Sequence, residues 1–553
     1  MLLSYLLFLI LFTFIGIGLG IITGLVPGIH VNTISALIIA FQPVFVTFAL
    51  ALLSPFPFSL SDALLLICAL IFAMLITHTF LDFIPSVFLG VPEEDTALTI
   101  LPAHRMMLRG RGYEAIRYSA FGSMASVLIA LLFILPARLI MASPLNGYEK
   151  LRPFIPFLLI FVATVMITSE KGEERMCKHF MLRAKAENVR SAWCVDEVPL
   201  HLYKYYGQEV EVSGTLLKSD NGMLFISVAG QEIPVFIEGN LQPFVHGDKI
   251  SLRGKVVPRL RNRDHLRQMA IALLLFLMSG YFGILILSTP IMTHNFYVVK
   301  WSLPNMILFP TFTGLFGLSG LFLSLIGKTQ MPEQKLEDTP LTMPKARKLR
   351  GALAGTAAGT LVGWFPGVSS GVAAVVARSG LGGGEDDDAP KEYIIAISGV
   401  NTSNAIFGLI ALFVIAKTRS GAMSAIRTIL GTIPTWEQIA DVPSLLLMLL
   451  FSAVIASLTA YFLTLYLGKI FARIYNAVPY TPLTCGIIIL LLLLIILFTG
   501  IIGLIIALIG TAIGMLPTLT GVKKVHLMGV LMIPVIIFLL GLEEEVMHVL
   551  MLW

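Results

Sequence analysis

Two stretches decide the fold: GLVPGIHVNTISALII at 24–39 and GWFPGVSSGVAAVVA at 363–377. Each sets a Pro-Gly pair inside apolar sequence, follows it with a small polar cluster, and returns to apolar residues. Proline removes a backbone donor and glycine weakens a helix, so a helix running into either pair stops there. Facing lipid, the freed backbone groups would have no partner, so such a break implies a cavity enclosed by protein. Half-helix ends present partial positive charge from free N–H groups and partial negative charge from free carbonyls. Paired breaks in matching places of two halves point to a transporter binding site.

The chain around these pairs requires lipid as its solvent. Of 553 residues, 57% are hydrophobic and only 13% are charged, where a soluble domain carries about 25% charged residues. A span needs about 20 apolar residues. Clear stretches lie near 3–24, 31–53, 61–80, 118–142, 153–169, 268–289, 304–327, 444–467, 484–499, 501–516 and 525–542. Shorter, interrupted ones lie near 81–91, 350–364, 368–380, 393–403 and 404–416. The expectation is about twelve spans with additional half-spans. The first stretch has no basic flank and no small-residue cleavage site, so it reads as a retained span.

Basic residues collect in a few loops, beginning with Arg105, Arg109, Arg111 and Arg117, and Lys345, Arg347, Lys348 and Arg350 form a later cluster. These loops are expected in the cytoplasm, in a multi-pass protein of the cytoplasmic membrane. The net charge of +5 is then loop charge, not nucleic-acid affinity. The four cysteines form no CxxC pair and no disulfide framework.

Residues 170–265 are polar and long. From Tyr206 to Val257 they alternate with period two and carry Gly and Asn-Gly breaks, which predicts a small antiparallel barrel whose spacing resembles an OB-fold. Acids interleave its bases (Glu209, Glu211, Asp220, Glu232, Glu238, Asp248) and no aromatic stripe is evident, so nucleic acid is not the expected partner. The fold class expected is an all-α polytopic membrane protein with two repeats containing Pro-Gly-broken helices and a small inserted cytoplasmic β-barrel. The expected organisation is membrane repeat 1 over 1–169, the insertion over 170–265, a transmembrane pair over 266–327, a cytoplasmic linker over 328–347, and repeat 2 with C-terminal spans over 348–553.

Candidate site residues follow from the breaks. Pro27 and Gly28 are followed by His30, Asn32 and Thr33; Pro366 and Gly367 are followed by Ser369 and Ser370. Downstream, HTFLDFIPSVFLGVPEEDTALT (78–99) is answered by NTSNAIFGLIALFVIAKTRSGA (401–422). Asn401, Thr402, Ser403 and Asn404 are neutral donors and acceptors suited to a carboxylate or a sodium ion. Ionisable groups at membrane depth are costly and point to function. These are Asp82, a candidate coupling-ion or proton site, with Glu93, Glu94 and Asp95 at the first charged break and Lys417 and Arg419 at the second. No P-loop, HExxH or GxSxG is present, so no enzyme, cofactor or metal centre is expected beyond Na+ or H+ as a coupling ion.

The order of these motifs resembles the TctA family, the large membrane subunit of tripartite tricarboxylate transporters. GLVPGIHVNTISALIIAFQP is similar to that family's first signature, and residues 87–123 to its short break and Arg-Gly-rich loop. Residues 350–377 and 392–422 are similar to its second Pro-Gly region and its Asn-rich segment. The resemblance implies ion-coupled uptake of a small organic anion, with a smaller membrane subunit and an extracytoplasmic binding protein as partners; a homo-oligomer is compatible with it. The chain departs from the family's pattern. Ile29 and His30 stand where more glycine is expected, and Glu93 follows Pro92 in place of glycine. Lys417, Thr418 and Arg419 replace the second break's Pro-Gly, and no acid stands near Gly399. It reads as a divergent member. Pro-Gly followed by Val and Ser also resembles the undecaprenyl-phosphate translocase family, in which Lys417 and Arg419 would suit a lipid phosphate. A third alternative is a membrane anchor or sensor serving the barrel.

Overall fold

A computed structural model describes residues 2–26, 29–54, 56, 58–88, 103, 106–107, 109–168, 170, 180–192, 209–218, 224–229, 231–238, 244–258, 262–287, 307–326, 333–337, 340–364, 370–379, 381, 388–478 and 480–549. The chain forms two compact units. One comprises 1–168, 273–517 and 524–553; the other comprises 169–272 with 518–523.

The smaller unit holds six strands: β1 (Phe180–Lys185), β2 (Val189–Ser191), β3 (Glu209–Lys218), β4 (Leu224–Val228), β5 (Gln231–Glu238) and β6 (Lys249–Pro258). Five of them close a ring in the order β1-β5-β4-β3-β6, which returns to β1, while β2 extends β6. Alternate residues fill the interior, among them Leu182, Val212, Leu216, Ile226, Ile233, Ile250 and Leu252. The alternation over 206–257 located four of these strands. The first closing strand, at 180–185, lies outside that stretch and runs parallel to β5, so the barrel is not purely antiparallel as expected. A six-residue strand beside a charged segment offers too little periodicity to be read alone.

The larger unit is helical. In chain order its helices are α1 (Leu2–Leu25), α2 (Val31–Ala40), α3 (Gln42–Leu53), α4 (Leu60–Leu81), α5 (Phe83–Phe88), α6 (Gly112–Met141), α7 (Gly147–Leu151) and α8 (Ile155–Thr168). Then come α9 (Asn262–Leu287) and α10, which runs from Leu308–Phe312 through a π-helical stretch, Thr313–Leu318, into Ser319–Ile326. The chain continues with α11 (Lys345–Trp364), α12 (Ser370–Ser379), α13 (Asp388–Val414), α14 (Gly421–Leu430), α15 (Ser444–Ala477), α16 (Tyr480–Thr520), α17 (Gly529–Leu540) and α18 (Glu543–Val549). Among the described residues eight helices are long and apolar enough to span a membrane, nine if the pair α2–α3, bent by 81°, is one span; three shorter apolar helices accompany them. The number of full spans is below the expected one because the stretches near 304–327, 484–499 and 525–542 form shorter helices and 31–53 is bent. Residues 393–403 and 404–416 form the single helix α13, whereas α16 is broken at Gly500, whose φ is 66°.

Glycine stripes explain how the helices pair. Gly16, Gly20 and Gly24 precede Pro27-Gly28 at the same spacing at which Gly355, Gly359 and Gly363 precede Pro366-Gly367. A Cβ on the first three would meet the Leu70 carbonyl, Thr77 and Leu81; on the second three it would meet the Ala396 carbonyl, Ser403 and Phe407. The partners share one spacing as well. Small residues at every fourth position let helix backbones approach closely, which is how helices associate where no hydrophobic effect drives them together. Thus α1 lies parallel to α4, and α11 lies parallel to α13, in the same register.

The two pairs run in opposite directions. α15 runs alongside α4 in the same sense, because Ser452 Oγ donates to the Ala69 carbonyl and Thr464 Oγ1 to the Phe80 carbonyl. α6 runs alongside α13 in the same sense, because Gly122 sits against Ile395 and Ser126 against Gly399. α15 ends where α6 begins: Gly468 abuts Ile116, and Gln334 bridges the Gly112 N–H and the Asn476 side chain. The halves are therefore inverted repeats, and each lends its long helix, α6 or α15, to the other half's pair. The register also corrects the expected alignment: His78 answers to Asn404, not to Asn401.

Charge closes the end at which α11 and α13 begin. Glu392, 1% exposed, accepts from Arg347 at 3.1 Å and from Arg350 at 2.5 Å and 2.9 Å. Lys391 pairs with Asp388 at 2.7 Å.

Candidate functional site

The helix breaks appear where the Pro-Gly pairs require them. α1 ends at Leu25 and α2 starts at Val31; α11 ends at Trp364 and α12 starts at Ser370. Pro27, Gly28, Pro366, Gly367, Ser369 and the acids Glu93, Glu94 and Asp95 lie outside the described residues, as does the side chain of Thr33.

Polar residues from the two halves meet at these ends. Asp82 caps α4 and is 2% exposed; Asn401, in the middle of α13 and 3% exposed, donates from Nδ2 to its Oδ2 at 2.7 Å. Asn32 crosses the other way. Its Oδ1 accepts from the Ala422 N–H at 3.2 Å, while Ser420 caps the same helix, α14, through the Met423 N–H. Two of the donors left free at the start of α14 are thereby satisfied, one by a residue of the opposite repeat. Asn32→Ala should therefore cost about 1 kcal/mol of thermal stability, read as a lowered unfolding temperature in detergent, with Ser420 left to hold the cap.

His30 is the N-cap of α2: its Nδ1 accepts from the Asn32 N–H at 3.1 Å. Its ring meets the ring of His78 edge-on, centroids 5.0 Å apart. In the second repeat Asn404 donates from Nδ2 to Ser370 Oγ at 3.1 Å. Thr402 is fully buried and its hydroxyl finds no partner among the described residues. Ser403 donates to the Gly399 carbonyl of its own helix and packs on Gly359, so it serves helix pairing. The 401–404 run, expected inside an apolar context, lies within the continuous helix α13. Lys417 is exposed, and Arg419 donates to the Val362 carbonyl near the broken end of α11. A cation at a helix C-terminus is favourable in its own right. Sequence reasoning passed over His78 as a site residue, although its place one turn before Asp82 on the same helix face was available as a signal.

The sequence profile of the tripartite tricarboxylate transporter TctA family matches residues 10–184 and 249–529. The chain belongs to this family. The unmatched residues between those two stretches, 185–248, fall in the smaller unit, and the match covers most of the helical unit together with the parts of the smaller unit that flank them. An uncharacterised protein of Methanocaldococcus jannaschii, MJ1079, is 38% identical over 164 residues, which is 30% of this chain and 37% of that protein's length. The match thus spans little more than a third of that relative. No solved structure matches the chain. TctA is a transporter family, not a family of enzymes, and among its described residues this chain has eight helices long and apolar enough to cross a membrane.

Proposed function

We propose that this protein is an ion-coupled secondary transporter that moves a small organic anion of the carboxylate class across the cytoplasmic membrane. The observation that carries this reading is the pair of hydrogen bonds joining the two repeats, Asn401 in the middle of α13 to Asp82 at the end of α4, and Ala422 to Asn32 beside the first helix break. Inverted repeats that meet through polar side chains can rock against each other around a fixed site, exposing it first to one side and then to the other. His30, Asn32, Ser369, Ser370, Asn401 and Asn404 supply neutral donors to the anion, and Asp82 takes the coupling ion.

The test is uptake of labelled citrate and succinate into proteoliposomes by wild type and by Asn401→Ala combined with Asn404→Ala. Uptake should be lost in the double variant. Unchanged uptake at equal protein content would remove this placement of the site.

The family assignment supports a small membrane subunit and an extracytoplasmic binding protein as partners. The barrel's ring order and its one parallel pair match those of an OB-fold whose last strand has moved to the front, which supports an OB-like module. Replacing 180–258 by a short linker should leave uptake intact. Loss of a cellular function by that deletion, with no transport detectable in the full chain, would favour the membrane-anchor reading. For the lipid-phosphate alternative, Lys417 is exposed and Arg419 donates from one guanidinium nitrogen to the Val362 carbonyl; normal polyprenyl-phosphate recycling after neutralising both residues would remove its main argument.

A further inference from the structure

The inverted repeats share one scaffold and differ in what they place at the break. His78 stands three residues before Leu81, and Asn404 stands three before Phe407, the two residues packed on the last glycine of each stripe. At one position the first repeat puts His78 against His30; at the other the second repeat puts Asn404 against Ser370. Asp82 has Gly408 as its counterpart in this register, and Asn401 has Leu75. The first half places His30, His78 and Asp82 there; the second places the neutral Ser370 and Asn404, with Arg419 beside Gly408 and donating to the Val362 carbonyl. Helix packing alone does not require this difference, since both halves pack through the same glycines.

We propose that the coupling ion is a proton, bound in the first repeat by His78 and Asp82 beside His30, while the neutral Ser370–Asn404 pair of the second repeat faces the substrate. This inference rests on the transporter reading above. The chemistry divides the roles of the three groups. His30 Nδ1 is already an acceptor for the Asn32 N–H, so a proton there would break the cap of α2. His78 lies in the last turn of α4 and Asp82 caps it; a positive charge is favoured at that end of a helix. A proton arriving at the cluster is therefore held between His78 and Asp82. Asn401 can donate to the Asp82 carboxyl whether that group is charged or neutral.

Other elements bring no competing charge among the described residues. α1 packs here through Gly20 and Gly24, α5 offers Ser86 to the Asp82 carbonyl, and α15 offers Thr464 to the Phe80 carbonyl. α13 offers the neutral Asn401. The cations of these and adjoining elements have other contacts: Lys469 lies over the Tyr113 ring, Arg427 donates to the Ala416 carbonyl, and Arg419 to the Val362 carbonyl. Protonation alternating with release would change the charge at the Asp82–Asn401 contact, which joins the two halves that must move.

The experiment uses the full chain in sodium-free proteoliposomes with a pH indicator in the lumen. With an inward proton gradient, wild type should accumulate citrate or succinate and acidify the lumen as it does so. His78→Gln and Asp82→Asn should each abolish the acidification and the response to the gradient. Accumulation that needs sodium and ignores the proton gradient would overturn the proposal, as would undiminished acidification in both variants. Wild type that moves neither acid under any gradient would instead count against the transporter reading. The proton site is then read separately by infrared titration of the purified protein. A carboxyl band that titrates in wild type, is missing in Asp82→Asn and moves in His78→Gln would support it. A spectrum with no Asp82-dependent titration would overturn it whatever is transported.

Discussion

Gly359→Leu should leave little folded protein. A Cβ at this position would stand 2.1 Å from Ser403 Oγ and 2.6 Å from the Val400 carbonyl oxygen. The carbonyl belongs to helix backbone and cannot turn away, so α11 and α13 would have to separate along the stripe that pairs them. Overpacking a well-filled site costs about 1–3 kcal/mol, and a leucine forced against backbone belongs at or above the upper end of that range. α13 also carries Asn401 and Asn404, so the loss should extend to transport. Gly18→Leu is the matched control. It sits on α1 with no atom within 4 Å of its would-be Cβ, so its side chain enters open space and stability should be unchanged. Extraction yield, the size-exclusion profile and thermal unfolding in detergent compare the two. Equal behaviour would mean that the glycine stripe does not hold the repeat together.

Asn401→Leu should be the most damaging change in the polar seam. It removes a donor from a carboxylate that is 2% exposed, and a buried charged group short of a hydrogen bond costs about 3 kcal/mol. Uptake should disappear with it. The double variant Asp82→Leu with Asn401→Leu separates the two effects. With the charge gone, two apolar side chains of similar size can pack together, and replacing a buried polar pair by apolar residues is often neutral for stability. The unfolding temperature should therefore recover while uptake stays lost. A double variant as unstable as Asn401→Leu alone would show that the seam is held by something other than this hydrogen bond.

The cross-repeat cap at Asn32 completes this picture. The halves are joined both by close helix packing, α6 on α13 and α15 on α4, and by two polar contacts, Asn401 with Asp82 and Asn32 with the start of α14.

Much of this was legible in the sequence. Composition required a membrane protein, and the two Pro-Gly pairs located the helix breaks, because proline and glycine act on the backbone wherever they fall. The order of motifs identified the TctA family, and alternation over 206–257 located most of the barrel. Asp82, Asn32 and Asn401 stood out because polar residues in apolar surroundings need partners. The partners themselves were not legible. Nothing local ties Asn401 to Asp82, or Asn32 to the start of α14, since these residues are far apart in the chain and meet only when inverted halves interlock. The direction of the second repeat was hidden for the same reason, because a hydrophobic stretch reads alike in either orientation. The three-residue shift that sets His78 against Asn404 came from helix register. Register is fixed by which glycine meets which backbone carbonyl, and that is decided only when the helices pack.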